Sequence, residues 1–277
     1  MPVVNSLFRW LASLLSEPRV AGINVDSGEL IKIHRKILKE KKILQEVFFE
    51  FYDFSIELSQ THLQGQGQEV ELGAGSSLFK SRHSHIASTD IKLSEGLDQV
   101  VDAQKMPFTN SSVRCFYCIN CFHHFPNPEE FFNELNRTLE VQGGAILIEP
   151  YFGPWASLFY KHIFKTEGFN KKQESWKSEE ENHGAMIGAN QALSYIIFFR
   201  DRDLFLRKYP NFEVVFHKPL TNYVRYLLSG GLNFKSLMPA TANPILKFIE
   251  WLLKPLAPLL ALHHVIVIRK VRDASPS

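Results

Sequence analysis

The stretch Val70-Glu71-Leu72-Gly73-Ala74-Gly75-Ser76 decides how this 277-residue chain folds. Its first residues are the end of a predicted strand, in which Glu71 stands two residues before a Gly-x-Gly turn. The glycines allow the backbone to turn sharply and to approach a ligand closely, while a following helix offers unpaired N–H groups. Such a turn also occurs without any ligand, so the motif has both a structural and a ligand-binding interpretation.

Short strand-like runs alternate with helical or loop segments from this point onwards. That alternation predicts a parallel sheet with crossover connections, which is an α/β, Rossmann-like fold. The clearest crossover helix is predicted from Pro128 to about Val141, with Gly143–Gly144 at its end. The predicted strands are Glu69–Leu72, His85–Thr89, Gln99–Val101, Val113–Ile119, Ala145–Ile148, Phe212–Phe216 and Val265–Val271.

Polar side chains follow four neighbouring strands at the points where the strands end. They are Glu71, Asp90, Asp102 and Asn120. The carboxyl ends of parallel strands meet at one edge of the sheet, where doubly wound folds bind their ligands. Each acidic residue alone could cap a helix. The four in register favour a binding site, in which a carboxylate such as Asp90 can accept hydrogen bonds from ribose hydroxyls.

The order and spacing of these motifs resemble small-molecule class I methyltransferases that use S-adenosylmethionine. The similarity is greatest to the group that includes ubiquinone and menaquinone C-methylating enzymes, and it covers about residues 69–150. The flanking segments are similar, more loosely, to bacterial methyltransferases of glycan and lipid biosynthesis. The matching segments are Glu71–Gly75, Asp90, Asp102–Phe108, His123–Phe125 and Leu139–Gly144.

The resemblance implies a seven-stranded, mostly parallel sheet whose last strand is antiparallel, with S-adenosylmethionine as the cofactor. Asp90 would hold the ribose hydroxyls, and Asp102 with Ala103 would hold the adenine. Asn120 would lie beside the methionine end of the cofactor. The full set of cofactor positions that it implies is Glu71, Gly73, Ala74, Gly75, Asp90, Asp102, Ala103 and Asn120.

Three features depart from the family pattern. Ser77 stands where a third motif glycine is usual, and Arg114 stands where an acidic residue usually enters the fourth strand. The link between Asp90 and Asp102 is too short for a full crossover helix. Neither Ser77 nor Arg114 replaces an expected cofactor ligand. The short link, by contrast, affects the position that the family pattern gives to Asp90.

For methyl transfer the protein mainly has to bring the methyl donor and the acceptor together in the right orientation, because the sulfonium group is already activated. A general base is required only if the acceptor must lose a proton. The candidate bases are His123 and His124, which follow the fourth strand, and Glu149, which ends the fifth. The alternative is that these side chains shape and cap the loop.

Cys115, Cys118 and Cys121 have the spacing of a metal cluster. Most of this segment is predicted to be a buried strand, where Cys115 and Cys118 point to opposite faces, and the chain has no fourth cysteine. We therefore expect buried thiols and no metal site. Three closely spaced cysteines and the lack of a signal peptide predict a cytoplasmic protein. The net charge of +2 gives no indication of nucleic-acid binding.

The flanks are expected to complete the acceptor site. Residues 1–66 are predicted to form a helical extension or lid, and residues 67–277 a methyltransferase domain with insertions at about 151–210 and 221–262. The predicted helix from Pro244 to Lys254 has a wide apolar face. That face could pack on the other helices, or it could contact the inner face of a membrane or cover a lipid-linked acceptor.

These observations predict methyl transfer to a small-molecule or lipid-linked acceptor, for example in glycan or lipid biosynthesis. The oligomeric state stays open. One alternative is a methyltransferase-like scaffold that has lost catalysis. The other is a nicotinamide-dependent oxidoreductase, which would favour glycine or alanine where this chain has Leu78, and which has no use for the segment Asp102–Phe108.

Overall fold

A seven-stranded sheet forms the centre of the computed structural model, which describes residues 14–24, 27–164, 167–178 and 189–273. The order of the strands across the sheet is β3-β2-β1-β4-β5-β7-β6. The chain thus reverses direction across the sheet between β1 and β4. The strands are β1 (Gln68–Leu72), β2 (Ala87–Asp90), β3 (Gln99–Val100), β4 (Val113–Ile119), β5 (Leu139–Pro150), β6 (Phe212–Pro219) and β7 (His263–Lys270).

All pairs are parallel except those of β7, which lies antiparallel between β5 and β6. This arrangement confirms the predicted Rossmann-like, mostly parallel sheet with an antiparallel last strand. In β1, Glu71 lies opposite Ser88 on one side and Tyr117 on the other. The carboxyl ends of β1, β2 and β4 are therefore brought to the same edge.

Helices cover the sheet and extend beyond its carboxyl edge. The longest is α2, whose buried side chains pack against one face of the sheet. Helix α1 begins after Ser27, whose hydroxyl accepts a hydrogen bond from Leu30 N at 3.3 Å. The α-helices are α1 (Gly28–Glu40), α2 (Lys42–His62), α3 (Phe79–Arg82), α4 (Pro128–Thr138), α5 (Pro154–His162), α6 (Leu193–Tyr195), α7 (Arg202–Lys208), α8 (Tyr223–Ser229), α9 (Asn243–Leu253) and α10 (Ala257–Leu260).

Shorter helical turns connect these elements. The 3-10 turns are Pro18–Val20, Phe122–His124, Ala240–Ala242 and Lys254–Leu256, and a π-helical turn spans Ile196–Arg200. Within the described part of the chain, no helix combines the length and the apolar character needed to cross a membrane. Residues 1–13 of the predicted N-terminal extension and residues 179–188 of the first predicted insertion lie outside the described residues.

The cysteines lie in the core on both faces of the sheet, as their strand spacing predicted. Cys115 packs in the apolar cluster between α2 and the sheet. Cys118 and Cys121 pack in the apolar cluster on the opposite face of the sheet. Burial raises the pKa of the Cys115 thiol to about 12 and raises those of the other two well above their ordinary value. The three thiols therefore behave as small apolar side chains.

The predicted end of the crossover helix is wrong. Helix α4 stops at Thr138, and Gly143–Gly144 lie inside β5 rather than at a helix end. A Cβ at Gly144 would lie 2.1 Å from the Ile268 carbonyl oxygen of β7. Gly144 therefore lets β5 and β7 approach closely, a requirement that the local sequence does not reveal.

The short link and the unusual arginine both have structural explanations. No helix lies between β2 and β3 in this fully described stretch, and β3 is only two residues long. The chain thus makes its crossover as a loop that leaves Asp90 at the strand end. Arg114 Nη1 contacts Glu69 Oε1 and Ser59 Oγ, each at 2.6 Å, and so ties β4 and β1 to α2.

A buried ion cluster fixes the segment between β6 and β7 onto α2. Arg225 of α8 donates from Nε to Glu250 of α9 at 2.6 Å and from Nη2 to Glu50 of α2 at 2.5 Å. The side chains of Arg225 and Glu250 are only 5% and 6% exposed. The surface pair between Lys247 and Glu46 joins the same helices at 2.8 Å, with both side chains nearly half exposed.

Replacing Arg225 by methionine is expected to lower the free energy of unfolding by about 3–5 kcal/mol, because Glu250 is left as an uncompensated buried charge. The matched variant Lys247→Met breaks the exposed pair between the same helices and is expected to cost less than about 1 kcal/mol. Urea unfolding measures both. Equal costs for the two variants would contradict this account of the cluster.

Candidate active site

A cavity of about 960 Å³ lies at the carboxyl edge of the sheet. That volume is at the upper end of the roughly 300–1,000 Å³ of typical ligand pockets, so it has room for more than one small molecule. Its floor consists of the ends of β1, β2 and β4, and helices α1, α2 and α5 form its walls. The cavity is lined by all eight predicted cofactor positions: Glu71, Gly73, Ala74, Gly75, Asp90, Asp102, Ala103 and Asn120.

The turn after β1 has a backbone shape that requires its glycines. Gly73 has φ +69°, and a Cβ there would lie 2.1 Å from Cys121 Sγ. Gly75 has φ +43°. Ser77, the residue in place of the third glycine, donates to Tyr52 Oη at 3.1 Å and accepts from Phe79 N at 3.0 Å. This departure therefore anchors the turn to α2.

Asp90 is fixed against the glycine turn. Its Oδ2 accepts from Gly75 N at 2.8 Å, and its Oδ1 accepts from Lys92 N at 2.8 Å. Each carboxylate oxygen retains a second lone pair, so these bonds orient the group without using up its capacity to accept. Asp90 is 8% exposed, and it contributes its remaining surface to the cavity.

Glu71 lies deeper at the end of β1 and is 2% exposed. Ser88 Oγ donates to its Oε2 at 3.3 Å. Burial raises the pKa of Glu71 from an ordinary 4.5 to about 7, against the opposing effects of Ser77, Ser88 and the cationic Arg35. Near neutral pH the carboxyl group is therefore poised between its two protonation states.

Asp102 and Asn120 end their strands in tight turns. Asp102 Oδ1 accepts from Gln104 N at 2.8 Å, and the adjacent Ala103 is buried. Asn120 has φ +51°, an uncommon conformation for a residue other than glycine. Among the described residues, no hydrogen-bond donor reaches its buried Oδ1. Asn120 thus lines the cavity, and its buried amide oxygen has its acceptor capacity unused.

Glu149 is fully buried and does not line the cavity. Its Oε1 accepts from Cys121 N at 3.0 Å and Phe122 N at 2.9 Å, and its Oε2 accepts from His123 N at 3.3 Å. The same Oε2 lies 2.5 Å from His123 Nδ1. Glu149 thus caps the turn after β4 and orients the ring of His123.

His123 is held between two carboxylates. Its Nε2 lies 3.0 Å from Oε2 of Glu167, which is in the segment after α5. Burial opposes a charge on His123, but the ion pair with Glu149 and the contacts with Glu167 outweigh it and raise the pKa to about 10. In this arrangement the ring is an imidazolium and cannot accept a proton at neutral pH.

His124 also lines the cavity, and its Nε2 lies 4.0 Å from Glu167 Oε1. The rings of His123 and His124 are 4.2 Å apart between centroids. Beyond these polar groups the cavity wall is apolar and aromatic. Its side chains include Leu30, Ile31, Phe48, Trp155, Phe159, Ile163, Phe164 and Leu237.

Sequence reasoning missed two residues of the site. Glu167 lies in a segment without regular periodicity, so nothing local connects it with His123. Arg35 of α1 donates to Gly75 O at 2.9 Å and to the carbonyl of Glu95. The signal that separates Arg35 from its exposed neighbours Lys32 and Lys36 is its position on the apolar side of the helix.

Residues 71–148 match the family model described as "Methyltransferase domain". The match spans β1 to β5 and contains every predicted cofactor position. The chain therefore carries a class I methyltransferase domain, the fold class that the sheet order and the site define. The domain over these residues is an S-adenosylmethionine-dependent methyltransferase domain. No curated protein is significantly similar to this chain.

Solved structures with similar folds include geranyl diphosphate C-methyltransferase from Streptomyces coelicolor A3(2) in complex with Mg2+, geranyl diphosphate and S-adenosyl-L-homocysteine. It has 14% identity over 92% of this chain and 88% of that one, with a TM-score of 0.48. Phosphoethanolamine N-methyltransferase 2 of Haemonchus contortus, in complex with S-adenosyl-L-methionine, has 12% identity over 86% of this chain and 60% of that one, with a TM-score of 0.42.

The affinity for S-adenosylmethionine is expected to rise with pH through the pKa of Glu71, which is about 7. The cofactor is cationic, so it favours ionised Glu71, and at pH 6 binding must first displace a proton from most molecules. Affinity at pH 6 should be roughly tenfold below its plateau at high pH. Calorimetry between pH 6 and 8 measures this dependence.

Glu71→Gln is the control, and it should remove most of the pH dependence. The same raised pKa also predicts how the stability of the protein depends on pH. The contribution of Glu71 to the free energy of unfolding falls as pH rises from about 4.5 to about 7, because charging the buried carboxyl is unfavourable. An affinity that is flat with pH in the wild type would contradict an ionised Glu71 in the complex.

Proposed function

We propose that the protein transfers the methyl group of S-adenosylmethionine to an apolar small-molecule or lipid-linked acceptor, as in lipid or glycan biosynthesis. The observation that carries this proposal is the cavity itself, which joins four polar strand ends to a long aromatic and aliphatic wall. A cofactor on the polar side would present its methyl group towards the apolar side. S-adenosylhomocysteine would be the by-product.

The polar side has the groups that each part of the cofactor needs. In this proposal Asp90 accepts from the ribose hydroxyls, while Asp102 and the backbone at Ala103 meet the adenine. Asn120 and the glycine turn face the methionine end. The unused Oδ1 of Asn120 supports this placement, since a buried acceptor without a donor is costly and a ligand ammonium group would satisfy it.

The acceptor side is built by the flanking helices rather than by the sheet. Helices α1 and α2 contribute Leu30 and Phe48, α5 contributes Trp155 and Phe159, and the loop after α8 contributes Phe234. Burial of an apolar acceptor against these side chains would exclude water from the transfer. We therefore propose that residues 1–66 and the insertions at about 151–210 and 221–262 act as the lid of the domain.

The three predicted catalytic residues take different parts in this proposal. His123 and His124 face the cavity and meet the acceptor, whereas Glu149 is a positioning residue that acts through His123. Reaction geometry favours this division because an acceptor can reach only groups on the cavity surface. Glu167 joins the two histidines as a third polar group at the acceptor side.

A membrane-facing surface would give a lipid-linked acceptor a route to the cavity. We define the α9 face as the exposed apolar side chains on α9 and the segment that follows it. Leu237, half exposed, lines the cavity and lies in the same insertion. We propose that this face contacts a membrane surface peripherally. Its side chains are Ile245, Phe248, Trp251, Leu252, Leu256 and Leu259.

Cofactor placement is tested by calorimetric titration with S-adenosylhomocysteine, with NAD as a comparison ligand. We expect micromolar binding of S-adenosylhomocysteine and none of NAD. Asp102→Ala should weaken binding at least tenfold, because a buried hydrogen bond to a charged group contributes about 1.5–3 kcal/mol. The control Asp203→Ala changes an aspartate on α7, remote from the cavity lining.

A well-folded wild type that binds no S-adenosylhomocysteine would refute the placement and favour a methyltransferase-like scaffold. Equally tight binding by Asp102→Ala and by the control would mean that the cofactor binds in the cavity but that its adenine does not contact Asp102.

The α9 face is tested by sedimentation with vesicles that contain an anionic phospholipid. The double variant Phe248→Glu/Trp251→Glu should reduce the bound fraction at least tenfold, because burying each aromatic side chain contributes about 1.5–3 kcal/mol. The control Leu93→Glu changes a side chain that is 80% exposed in the loop between β2 and β3. Equal vesicle binding by all three proteins would contradict a membrane role for the α9 face.

A further inference from the structure

The acceptor side of the cavity holds a cluster that the cofactor does not use. His123 and His124 come from the 3-10 turn after β4, and Glu167 comes from the segment after α5. One ligand atom from each residue lies within 4.8 Å of the other two. We propose that this cluster binds a divalent transition-metal ion that holds the acceptor for methyl transfer.

The distances suit a common ligand sphere. His123 Nε2 and Glu167 Oε2 are 3.0 Å apart, and His124 Nε2 and Glu167 Oε1 are 4.0 Å apart. A cation about 2.0–2.2 Å from each ligand atom places neighbouring ligands about 3.0–3.6 Å apart. Small side-chain rotations therefore bring the three groups into register around one ion.

Glu149 supplies the support that metal-binding histidines usually have. Its Oε2, 2.5 Å from His123 Nδ1, would keep the proton on that nitrogen when a metal ion replaces the Nε2 proton that faces Glu167. Three backbone N–H groups fix the same carboxylate in place. A carboxylate that orients a histidine in this way is the usual outer partner of a metal ligand.

Charge balance also favours a dication. Glu149 and Glu167 are two buried or nearly buried carboxylates, with side chains 0% and 10% exposed. Without a metal ion, the imidazolium of His123 balances only one of these two negative charges, whereas a dication that replaces its Nε2 proton balances both. The two nitrogen ligands and one carboxylate suit Zn2+, Mn2+, Fe2+ or Co2+ better than Mg2+ or Ca2+, which prefer oxygen ligands.

Three protein ligands leave coordination positions open towards the cavity. This inference rests on the proposed function and specifies its acceptor as a molecule with a hydroxyl or phenol group. The bound ion would lower the pKa of that hydroxyl, whose proton passes to water. The oxygen lone pair then forms the O–CH3 bond as the S–CH3 bond breaks, and its electron pair stays on the sulfur of S-adenosylhomocysteine.

Cobalt titration of the full-length protein after treatment with EDTA tests the site. We expect one equivalent of Co2+ to give visible d–d bands, which Zn2+ abolishes. His124→Ala and Glu167→Gln should each weaken Zn2+ affinity by about 10–100-fold in calorimetry. The control is His85→Ala, which removes a surface histidine beside His83. Because His83 contacts Asp53, these surface residues are a site where an adventitious ion would bind.

Absence of stoichiometric binding would overturn the metal site and leave His123 as an imidazolium between two carboxylates. Binding unchanged in both cluster variants, or lost in His85→Ala, would also overturn it. S-adenosylhomocysteine titration of the same samples confirms that each variant is folded. Protein that binds S-adenosylhomocysteine but no metal would overturn this inference alone, whereas protein that binds Co2+ but no S-adenosylhomocysteine would overturn the proposed cofactor placement alone.

Discussion

The close contact between the turns that follow β1 and β4 is the constraint on which the site depends. Parallel pairing sets Leu72 beside Cys118, so the chain must turn at Gly73 directly against Cys121. Only a residue without a side chain fits there, and its positive φ is strained for any other residue. The turn at Gly73 in turn places Gly75 where its N–H reaches Asp90. One packing requirement thus arranges three strand ends around the cavity.

Buried charge is used in two different ways in this protein. The Arg225 cluster joins α2, α8 and α9 outside the cavity lining, and every charge in it has a partner. At the cavity, by contrast, Glu71 is buried with weak partners, and two carboxylates flank His123. Charges that are incompletely compensated in a cavity are typical of ligand sites, because the ligand completes them.

The sheet and the helices contribute different parts of the cavity: the sheet forms its polar floor, and the helices form its apolar wall. The sheet edge supplies groups suited to the cofactor, which all enzymes of this class share. The acceptor wall and the α9 face come from segments outside β1 to β5, where local sequence carries no family motif. In the proposed function, these segments, which the resemblance covers least, select the acceptor.

The sequence by itself determined the Rossmann-like sheet and the polar strand ends at its carboxyl edge, because both are coded by local patterns. A strand, a glycine turn and a polar strand end each occupy a few adjacent residues, and the chain order of β1 to β4 then places Glu71, Asp90, Asp102 and Asn120 together. The tertiary structure alone placed Glu167 beside His123, 44 residues earlier in the chain, and put Arg35 on the glycine turn. It also put Gly143–Gly144 inside β5, where Gly143 packs closely against β4 and Gly144 against β7. Contacts between distant segments have no local pattern, since any polar residue in an irregular segment can make them once packing has brought it there.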